Sequence, residues 1–526
     1  MITDREDPVE SSGKRTFGSR VMLPIIALAA ALCFAPQIVR AGEADNTLVV
    51  GALTDPQTMD PAVGTLGTDI PFMYTVYDRL IDFEPKTLDM RPGLATSWKW
   101  SDDKKTLELK LRQGVKFHDG TDFNAEAVKF YIEYFKDSKR NLDLNSVIGV
   151  ETPDASTVVL RLDKPNSALL GLLAERAGMV MSPTAIKALG KDIGQKPVGT
   201  GPFMLKEWAP GKSLTVVKFP GYWKQGEPKL DAIEFRIIRN ATSIVSALQS
   251  GQLDYVSSID PVNLPVLQRN KNVRIAVEPT IAFGIVNLNS GMEPLNDVRV
   301  RKAIALSIDR QQLANAAFGG GVSGIPAVLP VPPSYWPSSP QFANAFTYQP
   351  DEAKKLLAEA GHPNGITLKM CAPANSGTPL PHAKLVDIMR EQMKAAGITV
   401  ESTSVASNAA CNDLYTKKTV PTFMANWTGR PDPAITYAQV LGTTTAFNLG
   451  RTVYGNAEEV IAKLLATSDR DEQKKLFEQL NQLWVDNVPM LPLYYYVNVV
   501  AYNAKVTGEE PNLLGRPYVR TMSFKK

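Results

Sequence analysis

Histidine and cysteine are nearly absent from this 526-residue chain, with three of each. His118, His362 and His382 show no metal-ligand spacing, so a dedicated metal cage and a metal cofactor are not expected. No Gly-x-Ser-x-Gly segment occurs, which removes the nucleophile elbow of serine hydrolases. An excess of one charge is missing too. Fifty-seven Lys and Arg against 54 Asp and Glu leave +3, with both signs scattered and no basic stripe, so nucleic acid is not an expected partner. Long apolar runs are also lacking. The best, Val21 to Phe34, is short for a membrane span and is interrupted by Pro24.

What is present at the N-terminus reads as an export signal over residues 1–42. Lys14, Arg15 and Arg20 precede the apolar run, and Val39-Arg40-Ala41 is an acceptable cleavage site. A mature start near Gly42 and a periplasmic location are expected; an uncleaved anchor is the alternative. Leu32 before Cys33 does not suit a lipobox, and Lys14-Arg15-Thr16-Phe17 is one arginine short of a twin-arginine signal. Cleavage removes Cys33 and leaves Cys371 and Cys411. An even count in an exported protein permits one disulfide between them, and two buried thiols are the other possibility.

Patterning indicates a large α/β chain of more than one domain. Leu107, Leu109 and Leu111 alternate with charged residues, the period of a half-buried strand. Gly114 and His118-Asp119-Gly120 mark a turn. Asn124 is a candidate N-cap for a helix through Ala127, Val128, Tyr131 and Ile132. A strand is expected over Thr47–Leu53 and a helix over Phe72–Leu80. Val300, Ile304 and Ile308 give a helix one apolar face, with Arg299, Arg301, Lys302 and Arg310 read as its solvated side. Ile366–Met370, a helix through Leu385, Val386, Met389 and Met393, and a strand from Ile398 imply a parallel βαβ unit. A late helix runs through Leu476–Trp484. Gly319-Gly320-Gly321-Val322-Ser323-Gly324 fits a dinucleotide pattern, but it follows a helix and precedes prolines, so it reads as a connection.

Three blocks carry a family resemblance. The first holds Trp98, Ser101-Asp102-Asp103, Leu111-Arg112, Gly114 and Val115–Gly120. The second is Lys196–Trp208 with Gly221-Tyr222-Trp223, and the third is Ile285–Asn289 with Pro294–Ala305. Together they resemble the periplasmic solute-binding proteins of ABC importers, peptide/nickel family, over roughly residues 46–505. The resemblance implies a two-lobed α/β periplasmic-binding-protein fold. Lobe 1 would be residues 43–285 with an inserted subdomain at about 82–192. Lobe 2 would be 286–490, with 491–526 returning to lobe 1 and crossings near Phe283–Asn287 and Val488–Pro492. It also implies a receptor without enzymatic activity and without a cofactor. Such a receptor is a monomer that delivers a small ligand to ABC permease subunits.

Candidate ligand residues follow from the same likeness. In peptide-binding relatives a Trp-x-x-Asp pattern sets a carboxylate against the ligand's amino group. Here Asn426-Trp427-Thr428-Gly429-Arg430 reverses the charge, and Asp432 follows two residues later. Arg430 suits a carboxylate or phosphate; pairing with Asp432 is the competing role. Phe283 and the lobe 1 loop Gly67-Thr68-Asp69 complete the set, Asp69 being either a cation site or a helix N-cap. A short peptide or opine-like zwitterion is the expected ligand. A metal chelate or oligosaccharide is the alternative on the same scaffold, and a secreted hydrolase lacks a catalytic constellation.

Overall fold

In a computed structural model of the chain, residues 45–525 are described apart from positions 65, 139, 320, 376–381 and 446. The expected signal segment lies outside the described residues, as do Gly320 and the loop before His382. One large mixed sheet organises the rest. Its two halves are built differently. On one side Thr47–Ala52 pairs in parallel with Ala232–Ile237, which continues antiparallel to Ser213–Lys218 and Phe203–Ala209. On the other, Ile366–Asn375 pairs in parallel with Ile398–Ser407 and with Thr422–Trp427. Helix His382–Lys394 crosses over between the first two, as the apolar spacing and Gly397 at φ +79° require.

Two long antiparallel strands, Val273–Leu288 and Met490–Asn503, run through both halves. Their pairing is regular from Val273↔Asn503 to Pro279↔Val497, shifts, and resumes at Phe283↔Tyr495. The break is tied down from outside the pair. Thr280 Oγ1 donates to Tyr496 O at 3.0 Å and Ile281 N donates to Leu513 O at 2.8 Å. A bulge of this kind bends a strand and re-aims its continuation, which is the place where two lobes on shared strands can pivot.

A separate four-stranded antiparallel sheet holds Ala95–Trp100, Thr106–Leu111, Thr157–Leu162 and Val147–Asp154. Helix Ala125–Lys136 packs on it, and Asn124 Oδ1 accepts the Ala127 N–H at 3.0 Å as the N-cap. The first two sequence blocks meet at His118. Its Nδ1 accepts from Gly199 N at 3.4 Å, so Nε2 carries the proton and donates to Gly201 O at 2.9 Å. Burial depresses its pKa and keeps this neutral form. Arg112 lies 4.1 Å from the Trp223 ring centroid, joining the same two blocks by a cation–π contact.

Some expectations are corrected. The helix expected over Phe72–Leu80 runs Ile70–Val76, because Pro71 suits a first turn and Tyr77 is already extended. Arg301 and Arg310 are not on a solvated face. Both are buried. Arg301 donates to Asn487 O and Leu295 O, and Arg310 to Pro492 O and Ala305 O. Long guanidinium stems reach carbonyls that a helical wheel does not anticipate.

Candidate functional site

The Trp427–Asp432 segment leaves the sheet beside the bulge. Its entry is fixed by packing. Trp427 pairs in register with Phe283, and their rings stack at 6.2 Å. The indole Nε1 donates to Thr436 Oγ1 at 3.1 Å. Trp427 is therefore buried and oriented from two sides; with Asn287, Asn408, Asn412 and Asn426 it lines a cavity of ≈280 Å³. Asn426 Oδ1 lies 3.0 Å from His382 Nε2. Gly429 is required by its close approach to the strand irregularity, since a Cβ there would come within 2.2 Å of Ile281 Cγ1. Tyr335 Oη donates to Pro431 O at 2.8 Å and holds the far end.

The loop faces lobe 1 closely. A Cβ at Gly67 would lie 3.8 Å from Thr428 Cγ2, and one at Gly171 only 2.9 Å from Asp432 Cβ. Further contacts bridge the lobes nearby: Ser167 N donates to Leu465 O at 2.8 Å, and Arg470 Nη2 meets Asp89 Oδ1 at 2.9 Å while covering Trp336.

Arg430 and Asp432 do not form an ion pair among the described residues. Asp432 Oδ1 accepts the Ala434 N–H at 2.9 Å, and burial raises its pKa against that bond and the charge of Arg470. Arg430 points elsewhere. Burial depresses its pKa, Asp143 and Glu175 oppose that, and Arg140 and Arg516 add to it. Its Nε is buried without a hydrogen-bond partner. Such a donor is costly in a finished core and ordinary in a site that awaits a ligand.

On the lobe 1 side, Gly67–Asp69 forms a 3₁₀ turn leading into Ile70–Val76. Asp69 stands at the N-cap position but makes no capping bond. It turns back instead, Oδ1 accepting from Gln57 N at 2.9 Å, while Oδ2 is buried and unpartnered. Burial raises its pKa, against the Gln57 bond and the charge of Arg176.

Sequence reasoning missed the groups around it. Glu175 accepts from Arg516 Nη1 at 2.6 and 2.8 Å and from Tyr74 Oη at 3.1 Å. Arg140 Nε donates to Asp143 Oδ2 at 3.0 Å. Arg176 donates to Leu66 O, has a buried unpartnered Nε, and is pushed down to about 10, chiefly by burial and then by Arg140 and Arg516, with Glu175 and Asp69 opposing. The available signal was Glu175-Arg176 inside the apolar stretch Leu169–Val180.

Cys371 and Cys411 are bonded, Cα–Cα 5.6 Å, tying strand Ile366–Asn375 to helix Asn408–Thr416 within lobe 2. Among the described residues no group of three or more His, Cys, Asp or Glu could hold a metal ion. No described helix is long and apolar enough to cross a membrane.

Two lobes on shared strands, with incompletely hydrogen-bonded charged side chains beside the crossing, are the architecture of a binding protein. The comparisons give the family. Residues 89–448 match the bacterial extracellular solute-binding proteins, family 5. The chain is 31% identical over 480 residues to the glutathione-binding protein GsiB of Shigella flexneri serotype 5b (strain 8401), covering 88% of this chain and 92% of GsiB. It superposes on AgaA of A. tumefacien R10 in complex with agropinic acid (TM-score 0.79, 25% identity, 91% and 99% of the two chains). It also superposes on the dipeptide binding protein of pseudoalteromonas sp. SM9913 in complex with Met-Leu (TM-score 0.78, 24% identity, 91% and 100%). The chain belongs to the family 5 extracellular solute-binding proteins. Its relatives are substrate-binding proteins rather than enzymes, taking a small-molecule ligand and serving ABC permeases.

Proposed function

We propose that the protein is a periplasmic receptor that closes over a short peptide or peptide-like zwitterion and delivers it to the permease of an ABC importer. It acts as a monomer, without catalysis and without nucleic acid, after a signal peptide is removed near Gly42. Lobe 1 is residues 43–285 with 491–526 and carries the subdomain at about 82–192; lobe 2 is 286–490. The ligand lies between Gly67–Asp69 and Asn426–Asp432, with Phe283 and Trp427 behind it.

The observation that carries this reading is the Arg430 guanidinium, held between the lobes with its Nε buried and unpartnered. An anionic group of the ligand supplies the missing acceptor, bidentately where it is a carboxylate. GsiB, named for glutathione, and AgaA, bound to agropinic acid, supply the first ligands to try.

Small-angle scattering and thermal melting with glutathione and a dipeptide panel test the reading. A binding ligand makes the protein more compact and, at about 100 times its Kd, adds about 2.7 kcal/mol of stability. A confirmed ligand that leaves the scattering curve unchanged refutes closure. N-terminal sequencing of protein from the periplasm checks the cleavage site, and an intact Met1–Ala41 on membrane-bound protein refutes it.

A further inference from the structure

One short helix of lobe 2 is held by little besides the disulfide. Helix Asn408–Thr416 has nine residues, and helices this short are marginal on their own, so packing must hold it. Its fully buried side chains are Cys411 and Tyr415. Tyr415 packs on Phe423 with ring centroids 5.0 Å apart, and Cys411 is bonded to Cys371. Other supports lie at the surface. Ser407 Oγ accepts the Ala410 N–H at 3.3 Å, and Lys417 meets Asp413 at 2.7 Å in an exposed pair of little worth. Helix His382–Lys394, by contrast, buries six side chains and stands without a covalent tie.

The weakly held helix is one wall of the cavity beside Trp427. On the sheet side that cavity is lined by Ile285 and Asn287 and, opposite them in register, by Ala425 and Phe423. These alternate positions share one face of the sheet. On the helix side it is lined by Asn408, Ala409 and Asn412. Asn408 and Asn412 are one turn apart, and Cys411 lies three residues after Asn408 on the same flank. Its partner Cys371 is in register with Phe423 on the adjoining strand. The bond therefore runs from helix to sheet at the edge of the cavity and sets the spacing of its two walls.

Resting on the receptor reading above, we infer that the Cys371–Cys411 bond is a positioning element of the binding site. It holds the Asn408–Asn412 wall against the Trp427 face, as a supporting shell holds contact groups in place. The oxidised protein binds its ligand; the dithiol form stays folded and binds it poorly. Opening the bond takes two electrons and two protons from a dithiol. One thiolate attacks a sulfur, the second thiol resolves the mixed disulfide, and the reductant leaves as a disulfide while Cys371 and Cys411 become thiols. Formation is the reverse, with a disulfide oxidant taking the electrons and protons. Both cysteines are fully buried, so exchange waits for the helix to lift from the sheet. Thiols stay reduced in the cytosol and pair in an oxidising compartment. A chain that gains the bond only after export gains its affinity there, and does not sequester solute where it is made.

The test compares the oxidised protein with Cys371→Ala/Cys411→Ala. Hydrogen exchange read by mass spectrometry is expected to run roughly tenfold faster over residues 408–416 in the double variant, with helices His382–Lys394 and Ala125–Lys136 unchanged. Titration calorimetry with glutathione and with Met-Leu is expected to show binding weaker by roughly tenfold, and native mass spectrometry to show a matching loss of any small molecule that co-purifies. Asn412→Ala separates placement from fold: it weakens binding and leaves exchange and Tm unchanged. Should the double variant not fold, wild-type protein treated with dithiothreitol and then reoxidised takes its place, losing protection and affinity together and regaining both.

Unchanged exchange over 408–416, loss of protection throughout lobe 2, wild-type affinity in Asn412→Ala, or wild-type affinity and occupancy in a folded double variant overturn the inference and leave the receptor reading standing. Oxidised wild-type protein that binds neither probe and releases no small molecule overturns both.

Discussion

Arg430→Met separates the two consequences of a buried, incompletely bonded charge. Methionine has a similar reach and no donors. In the ligand-free protein the substitution removes a buried unsatisfied N–H, which costs about 1–3 kcal/mol. The usual penalty of stranding a partner does not arise. Glu175 keeps Arg516 and Asp143 keeps Arg140, so neither acid is left alone. A net gain of about 1–2 kcal/mol follows for the empty protein. At roughly 2.1 cal/mol/K per residue, a chain of this size has an unfolding entropy of about 1 kcal/mol/K, so Tm rises by about 1–2 °C. Ligand binding moves the other way. Losing a charge-assisted bond costs about 1.5–3 kcal/mol, a Kd weaker by roughly 10- to 150-fold. Melting curves with and without glutathione, together with titration calorimetry, read both quantities. An empty Arg430→Met protein that melts below wild type, or an unchanged Kd, refutes the reasoning.

Three further outcomes are expected. Glu509 is pushed up to about 8 by burial and then by the Glu278 carboxyl, with Glu510 adding to this and Lys86 opposing it. An unfolded glutamate titrates near about 4.3, so the folded state holds the extra proton between those values and stability falls as pH rises through that window; Glu509→Gln should flatten the Tm profile there. Reducing Cys371–Cys411, which spans 40 positions, should lower stability by up to about 4 kcal/mol on the chain-entropy model, checked by melting with and without a reductant. Arg470→Ala removes a half-exposed bridge to Asp89 between the lobes and should cost the closed form no more than about 1 kcal/mol, seen as a modest expansion in scattering without ligand.

Much of the frame was legible because it is local. Leu107, Leu109 and Leu111 declare a strand by alternation, Asn124 caps its helix through an atom three residues away, and the parallel unit from Ile366 to Ser407 follows from two strands and one apolar helix face. The candidate segment Trp427 to Asp432 could be singled out in sequence because it is continuous; its place beside the ligand belongs to the proposal. The charged cluster opposite it could not be. Arg140, Glu175, Arg176 and Arg516 come from separate segments, and Glu175 meets Arg516 across 341 positions. No periodicity links them; only the fold does. Arg301 and Arg310 misled for a related reason. A wheel assigns faces from Cα positions, while the guanidinium sits several bonds away and found backbone carbonyls.

The placement of Arg516 and Arg520 sets an order on biogenesis. Arg516 answers Glu175, and Arg520 answers Asp78 at 2.6 Å across 442 positions. Of these paired charges the arginines are the last to be synthesised. At the pace of translation, about 5–20 residues per second, Glu175 waits roughly 15–70 s for its cation. During that interval lobe 1 has an acid it cannot bury, and the Tyr74–Glu175 wall cannot close. The wall is thereby completed only after residues 286–490 have been made, and a chain that ends before Arg516 leaves Glu175 without its cation.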